Sequence, residues 1–333
     1  MHFNDSDVLH LIKTEDKNEI ESLLERARKV REEHYGKSVY IRGLIEITNY
    51  CKNDCYYCGI RCSNNKIERY RLSINEILGC CQTGDKLGFK TFVLQGGEDP
   101  WFTTERVIEM ISLIRQRYPT HAITLSLGER SISDYELFFQ NGANRYLLRH
   151  ETASAEHYTA LHPSQQTLAN RKQCLWELKK IGYQVGAGFM VGSPFQTPEC
   201  LLADLRFMEE LQPQMVGIGP FIPQKDTPFC SYPQGDLLLC LKMLAITRII
   251  LPKALLPATT AMGTITPNGR ELALNAGANI VMPNLSPVKA KRLYNIYDNK
   301  IILGDEAAEN LQLLKEKIIN AGYEPDMSRG DAK

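Results

Sequence analysis

Nowhere among the 333 residues does an apolar run reach the 18 or so that a membrane-spanning helix needs. The first residues, Met1-His2-Phe3-Asn4-Asp5, also lack the basic stretch followed by an apolar one that marks a secretory leader. A cytoplasmic protein with no membrane partner is therefore expected. Neither sign of charge is in excess, since Lys plus Arg and Asp plus Glu both number 39, so nothing general draws the chain to nucleic acid. Any charged ligand must be met locally. No linker, low-complexity tract or second domain interrupts the chain. Hydrophobic residues make up 43% and charged ones 23%, which allows a large core and excludes general disorder.

What the chain does have is cysteine, ten in all, three of them within Cys51-Lys52-Asn53-Asp54-Cys55-Tyr56-Tyr57-Cys58. In a reducing compartment such clustering points to metal and not to disulfides. Three thiolates can hold three irons of a [4Fe–4S] cluster and leave the fourth open for chemistry, whereas a closed structural zinc site wants four ligands. Cys62 could close a Cys₄ site. However, the ferredoxin run spaces its cysteines two, two and three apart before a proline, and here the first gap is three and Ser63 follows. An open cluster on Cys51, Cys55 and Cys58 is favoured, with a closed iron–sulfur or zinc site as the alternative. The other six cysteines are expected to be packing residues.

Residues 5–35 carry apolar positions at helical spacing and predict one or two amphipathic helices covering one end of the main domain. Beyond them one pattern recurs, a short apolar run and then a longer amphipathic segment. The runs are 39–48, 91–95, 122–126, 145–149, 184–191, 215–221, 255–260 and 278–282. Helical segments fit between them, several ending at a glycine suited to a left-handed cap (Gly88, Gly142, Gly182, Gly277). Eight such units predict an α/β fold, a complete (β/α)8 TIM barrel over 39–324. An N-terminal helical extension over 1–38 and a loose C-terminal tail over 325–333 complete the expected organisation. A doubly wound open sheet is the rival.

Functional groups in such barrels gather at the C-terminal strand ends, which places the cysteine loop there, after the first strand. Paired glycines in Gln95-Gly96-Gly97-Glu98 let backbone approach a ligand, and Glu98 can accept from an ammonium group. Ser126 shares a strand face with Thr124. Arg149 and Glu151 share a face too, and either pair with each other or grip a zwitterion; His150 points away and is expected to be structural. Arg171, early in a helix, is a bidentate donor suited to a carboxylate or an exposed surface residue. Met215 opens a glycine-rich strand, Thr259 and Thr260 form a hydroxyl cluster at a strand end, and Met282 and Tyr294 follow the last strand. Taken with three cysteines, the set fits S-adenosylmethionine, whose amino and carboxylate groups can chelate an open iron.

The Cys51, Cys55, Cys58 motif with aromatic Tyr57 resembles the radical-SAM superfamily, and Gln95–Asp99 resembles its SAM-amine motif. The stretches 145–153, 215–223 and 257–264 further resemble HydE-type [FeFe]-hydrogenase maturases, over about residues 40–300. The resemblance implies SAM contacts from Tyr57, Gln95, Gly97, Glu98, Ser126, Glu151, Arg171 and Met215. Substrate-side contacts are implied from Arg149, Thr259, Thr260, Met282 and Tyr294. It implies a 5′-deoxyadenosyl radical directed at an iron-bound cysteinate carbonyl–cyanide precursor, so a small organometallic or amino-acid-derived substrate. An electron donor such as ferredoxin or flavodoxin and other hydrogenase maturation factors are the implied partners. No cysteine follows Cys240, so the second, C-terminal cluster of some family members is not expected, and the tyrosine-cleaving sister maturase and biotin synthase fit less well. A 3-methylornithine synthase, or a non-catalytic iron–sulfur carrier, are the rivals.

Overall fold

The first apolar run makes two strands, because the chain turns at Arg42 between β1 (Ser38–Ile41) and β2 (Gly43–Thr48). In this computed structural model, which describes residues 3–302, 304 and 308–333, β2 starts a six-stranded parallel sheet. It continues in order through β3 (Thr91–Gly96), β4 (Ala122–Ser126), β5 (Arg145–Leu147), β6 (Gln184–Val191) and β7 (Met215–Pro220). Every residue of β2 and β7 is buried, as suits parallel strands covered on both faces. Helices make the crossovers that parallel neighbours require, among them Ile74–Lys86, Thr104–Arg117, Ile132–Gln140, Leu168–Ile181 and Pro198–Leu211. The four expected cap glycines all lie at positive φ, between 92° and 109°.

Register decides which side chains share the inner face. Glu46 pairs with Gln95 and Gln95 with Ser126; Leu147 pairs with Gly186 and Gly186 with Met215. Register partners in a pleated sheet point to the same side, so these form tiers on one face. The alternate residues, such as Ile45, Leu94, Leu125 and Val185, are fully buried in the large core shared with the helices.

The last two expected strands are reduced. Segment 255–260 makes only isolated parallel bridges, Met215 to Leu255 and Pro257 to Ile280, because Pro257 has no N–H to donate to a ladder. The run 278–282 shrinks to β8 (Ile280–Val281), cut short by Pro283. β8 pairs with β1 in a second parallel sheet of order β8-β1-β9, where β9 is Glu324–Asp326. β5 is also shorter than 145–149, since the chain leaves strand geometry before Glu151, at φ 65°.

Both N-terminal helices form, α1 (Asp5–Lys13) and α2 (Lys17–Tyr35), each with an Asx cap, Asn4 and Asp16. Instead of covering one end they pack along the helices 198–211 and 237–250. Buried Arg31 ties α2 to the start of β1 by donating to the carbonyls of Gly36 and Ser38 at 2.5 and 2.8 Å.

The expected loose tail is instead tied down. β9 pairs with β1, and buried Arg145 and Arg42, both at the N-terminal ends of strands, need acceptors that the tail supplies. Arg145 donates to Asp331 at 2.6 Å and to the Arg329 carbonyl at 2.8 Å; Arg42 donates to the Gly330 carbonyl at 2.8 Å. Leaving those guanidinium groups buried without partners would cost several kcal/mol, roughly 3–5 for a broken buried pair. The opposite ends of the strands carry the site.

Candidate functional site

The cysteine loop leaves β2 at Thr48 and is held by charged side chains turned onto its own backbone. Arg69 donates to the carbonyls of Asn49, Ile60, Arg61 and Asn64 at 2.5–3.0 Å. Arg61 grips Asp54 bidentately at 2.7 and 2.5 Å and, with Ser63, holds that carboxyl far below the usual range. Gly59 is pressed so tightly against the chain that a Cβ there would meet the Asn295 carbonyl oxygen at 2.1 Å.

This frame turns Cys51, Cys55 and Cys58 toward one cavity, while Cys62 is exposed and outside it. Burial pushes all three thiols up, Cys55 to about 12. Burial thus disfavours free thiolates here, and a bound iron–sulfur cluster would supply the positive charge to neutralise them. Among the described residues no three His, Cys, Asp or Glu side chains converge on a single-ion site. A cluster engages each thiolate through a different iron and does not ask for that convergence. The chemistry of the donor set thus fits an iron–sulfur cluster.

The cavity, of about 290 Å³, is bounded by the cysteine loop and by the ends of β3, β4 and β5. Gln95, Gly97, Glu98, Ser126, Arg149, Glu151, Arg171 and Tyr294 all border it, with Tyr57. Gly97 is required by space, since a Cβ would lie 2.2 Å from the Tyr50 carbonyl oxygen. Gly128 is required twice, by φ of 72° and because a Cβ would fall 1.8 Å from Glu98 Cγ. These glycines make a cradle that brings backbone close to whatever fills it.

Arg171 is not a surface residue. Its side chain, 11% exposed, reaches from the helix Leu168–Ile181 to lie 2.6 Å from Glu129 and 3.6 Å from Glu98. Burial works against its charge, but Glu129 and Glu98 outweigh that and the guanidinium is held more firmly protonated than usual. The Nε–Oε1 approach to Glu129 lacks hydrogen-bond geometry, so part of the donor capacity stays unspent. Arg149 sits 3.0 Å from Glu151 as an ion pair, yet its Nε and Nη2 also make no hydrogen bond among the described residues. Of the two expected alternatives the structure shows the mutual ion pair, with donors of Arg149 left over.

His150, as expected, turns away. Fully buried, it lies 3.0 Å from Asp204 and takes the Gly188 N–H on Nδ1 at 3.4 Å, which makes Nε2 the donor to Asp204. Tyr57 lies 3.1 Å from His162 Nε2, whose Nδ1 faces the Tyr158 carbonyl at 2.9 Å. A carbonyl accepts only, so Nδ1 carries the proton and the Tyr57 hydroxyl donates to Nε2. Burial keeps this ring neutral, its pKa brought down to about 3.

Met215 does not reach the cavity. It is buried beside Gly186 at the start of β7, its Sδ 3.2 Å from Arg42. The position fits a strand's first residue, at the end opposite the loops. Met282 packs beside it in the cluster with Tyr35, Tyr40 and Ile280, again below the cavity. Thr259 caps the short helix Thr260–Ile265 and lies across from Gly219, with Oγ1 unpartnered among the described residues. Tyr294 is buried with its hydroxyl 3.4 Å from Gln95 Nε2. Sequence reasoning did not single out Glu129, His162, Tyr297 or the buried Glu46–Lys300 pair.

Comparisons with known proteins follow the same lines. Residues 45–208 match the family model described as the Radical SAM superfamily. The chain is 42% identical to the "[FeFe] hydrogenase maturase subunit HydE" of Thermotoga maritima over 94% of this chain and 89% of that one. It is 32% identical to the 3-methylornithine synthase of Methanosarcina acetivorans over 97% and 90% of the two chains. Among solved structures, a methylornithine synthase superposes with TM-score 0.88 at 30% identity, covering 98% and 95% of the two chains. The hydrogenase maturase HydG superposes with TM-score 0.82 at 20% identity, covering 96% and 71%, a likeness of fold.

Proposed function

Because this chain belongs to the radical SAM superfamily and, within it, to the HydE-type [FeFe]-hydrogenase maturases, we propose that it acts on an iron-bound cysteinate precursor of the hydrogenase's active-site cluster. It is a radical-SAM enzyme that uses a [4Fe–4S] cluster and S-adenosylmethionine. When bound, these supply an electron and a 5′-deoxyadenosyl radical from reductive cleavage of the S–C5′ bond.

The chain's own residues supply placement. Cys51, Cys55 and Cys58 would hold the cluster and leave one iron open. Glu98 would accept from the SAM ammonium and Arg171 donate to its carboxylate, each already pre-set by the ion network that joins them. Ser126 and Glu151 would meet the ribose, and Gln95 and Gly97 would bring polar backbone and amide groups alongside. Tyr57, fixed by His162, closes the wall behind the cluster. Apolar Ile60, Met190, Phe221 and Ile222 line the rest and would keep water and stray hydrogen donors from a radical. Arg149, with unspent donors, Thr259, Thr260 and Tyr294 are the groups assigned to the substrate. Met215 and Met282, which do not border the cavity, would act as floor and not as direct contacts.

Several finer assignments belong to the same proposal. The isolated bridges Met215–Leu255, Pro257–Ile280 and Leu44–Asn284 support reading the two sheets as one closed (β/α)8 barrel over 39–324, with 1–38 as extension and 325–333 as tail. No described helix is long and apolar enough to cross a membrane, and a cytoplasmic setting with ferredoxin or flavodoxin as reductant suits the chemistry.

The observation that carries the substrate assignment is the 42% identity over nearly the whole chain. The 0.88 superposition on a methylornithine synthase favours a second reading, rearrangement of a lysine skeleton. Incubating reduced, cluster-loaded protein and SAM with either an iron-bound cysteinate carbonyl–cyanide complex or L-lysine separates them. Consumption of the iron complex is expected; conversion of lysine in its place would transfer the chain to the second reading.

A further inference from the structure

One buried charged pair on the inner face of the barrel is left over by the assignments above. Glu46, on β2, is 1% exposed and is level with Gln95 and Ser126, both of which border the cavity. Its Oε1 is taken by Lys300 Nζ, which also donates to the Tyr294 carbonyl at 3.1 Å. Its Oε2 has no hydrogen-bond partner among the described residues. Besides burial, which dominates, the Glu46 charge pushes up the phenols of Tyr294 and Tyr297, both of which border the cavity. The carboxylate is therefore next to the cavity wall with one oxygen unspent.

A buried carboxylate oxygen with nothing to accept from is costly, roughly 1–3 kcal/mol or more for a charged group, unless a ligand completes it. Lys300 accounts for one oxygen of this carboxylate and leaves the other without a partner among the described residues. Across the interior, Arg149 Nε and Nη2 and Thr259 Oγ1 are likewise without hydrogen-bond partners. Inner-face acceptor and donors together suit a small ligand with an amine at one end and an anionic or oxygen-bearing group at the other.

Resting on the maturase assignment above, we infer that Glu46 is a specificity-determining residue: its Oε2 accepts an N–H of the substrate's amino group, while Lys300 anchors Oε1 and fixes the carboxylate. Glu98 serves the amine of SAM at the rim; Glu46 serves the amine of the substrate below it. The inner site thereby selects amino-acid-derived ligands over their desamino counterparts. Lys300 is the positioning residue of the pair, joining Glu46 to the wall that carries Tyr294.

The test uses cluster-loaded protein saturated with SAM and two probes, an iron-bound cysteinate carbonyl–cyanide complex and the same complex built on 3-mercaptopropionate, which lacks the amine. Wild type is expected to bind the first roughly 10- to 100-fold more tightly, the range of one hydrogen bond to a charged acceptor. Glu46→Gln should lose most of that preference. Because Glu46→Gln leaves Lys300 buried without its counter-charge, Glu46→Gln/Lys300→Met, which removes both charges, is measured beside it and should lose the preference as well. A double variant that regains the preference would assign the pair to structure alone and overturn the inference. So would a Glu46→Gln variant that keeps it, or a wild type that binds both probes equally. Failure of the maturase reading shows separately, as SAM cleavage that neither probe changes.

Discussion

Replacing Arg171 with Ala removes the one cation set between two carboxylates, and its cost can be worked from the distances. Glu129 at 2.6 Å and Glu98 at 3.6 Å would remain, with side chains 19% and 9% exposed. Among the described residues Glu98 keeps Lys52 at 3.4 Å, itself 54% exposed, and Glu129 keeps the Asn170 amide at 2.5 Å. Breaking a buried pair costs about 3–5 kcal/mol; the remaining partners put this site near the lower bound, about 3 kcal/mol. Glu129→Gln removes one of the stranded charges, so Arg171→Ala should cost less in that background, by roughly 1–2 kcal/mol of coupling. Urea unfolding of the metal-free chain at pH 7.5 measures both. Titration of the cluster-loaded protein with SAM should show, independently, a loss of about 10- to 100-fold in affinity for Arg171→Ala, as one charged hydrogen bond to a carboxylate would give. An unchanged unfolding midpoint, or effects of the two substitutions that simply add, would refute the idea that the carboxylates hold this guanidinium in place.

Gly128→Ala should strain the backbone by about 1–2 kcal/mol and drive a methyl into Glu98. SAM affinity should fall with stability, whereas Gly142→Ala, whose Cβ meets only the flexible Arg115 side chain, should lose stability alone; equal SAM affinity in both variants would contradict the cradle. Alanine at Cys51, Cys55 or Cys58 should abolish iron incorporation after anaerobic reconstitution, and Cys62→Ser should retain it, as iron and sulfide assays will show. His162, brought down to about 3 by burial against about 6.5 unfolded, stabilises the fold fully above pH 6.5 and loses that contribution as pH falls toward 3. Between pH 6.5 and 5 the loss averages about 1 kcal/mol per pH unit, and His162→Gln should flatten the pH dependence of the urea midpoint by that amount; an unchanged slope would place the titration elsewhere. Removing 327–333 should strand Arg42 and Arg145 and cost about 3–5 kcal/mol, read by the same unfolding assay.

Local signals carried much of this molecule. The spacing of Cys51, Cys55 and Cys58 pointed to one shared site, and all three border one cavity, while glycines such as Gly182 mark helix ends because only their backbone adopts the cap cheaply. Strand alternation put Arg149 and Glu151 on one face and left their mutual pairing open, whereas in the structure β5 ends before both and a left-handed turn at Glu151 carries the contact. Length-scale effects were hidden. Pro257 could be read as a ladder breaker only once its neighbour Ile280 was known, and the tail looked loose because Arg42 and Arg145, which it satisfies, lie some 186 to 288 residues away. Met215 was assigned to the cavity by likeness of motif, while the structure buries it at the start of β7 against Arg42. Arg171 and Glu46 show the same limit for charge, since the sequence gives no sign of which polar side chains will be buried together.

The central claim is that three cysteines hold a cluster with one iron open to SAM. Anaerobically reconstituted protein, reduced with dithionite, should give an EPR spectrum that changes when SAM is added, and mass spectrometry should find 5′-deoxyadenosine in the same sample. A spectrum indifferent to SAM, with no nucleoside formed, would mean that every iron is closed and that this chain carries a cluster without using it.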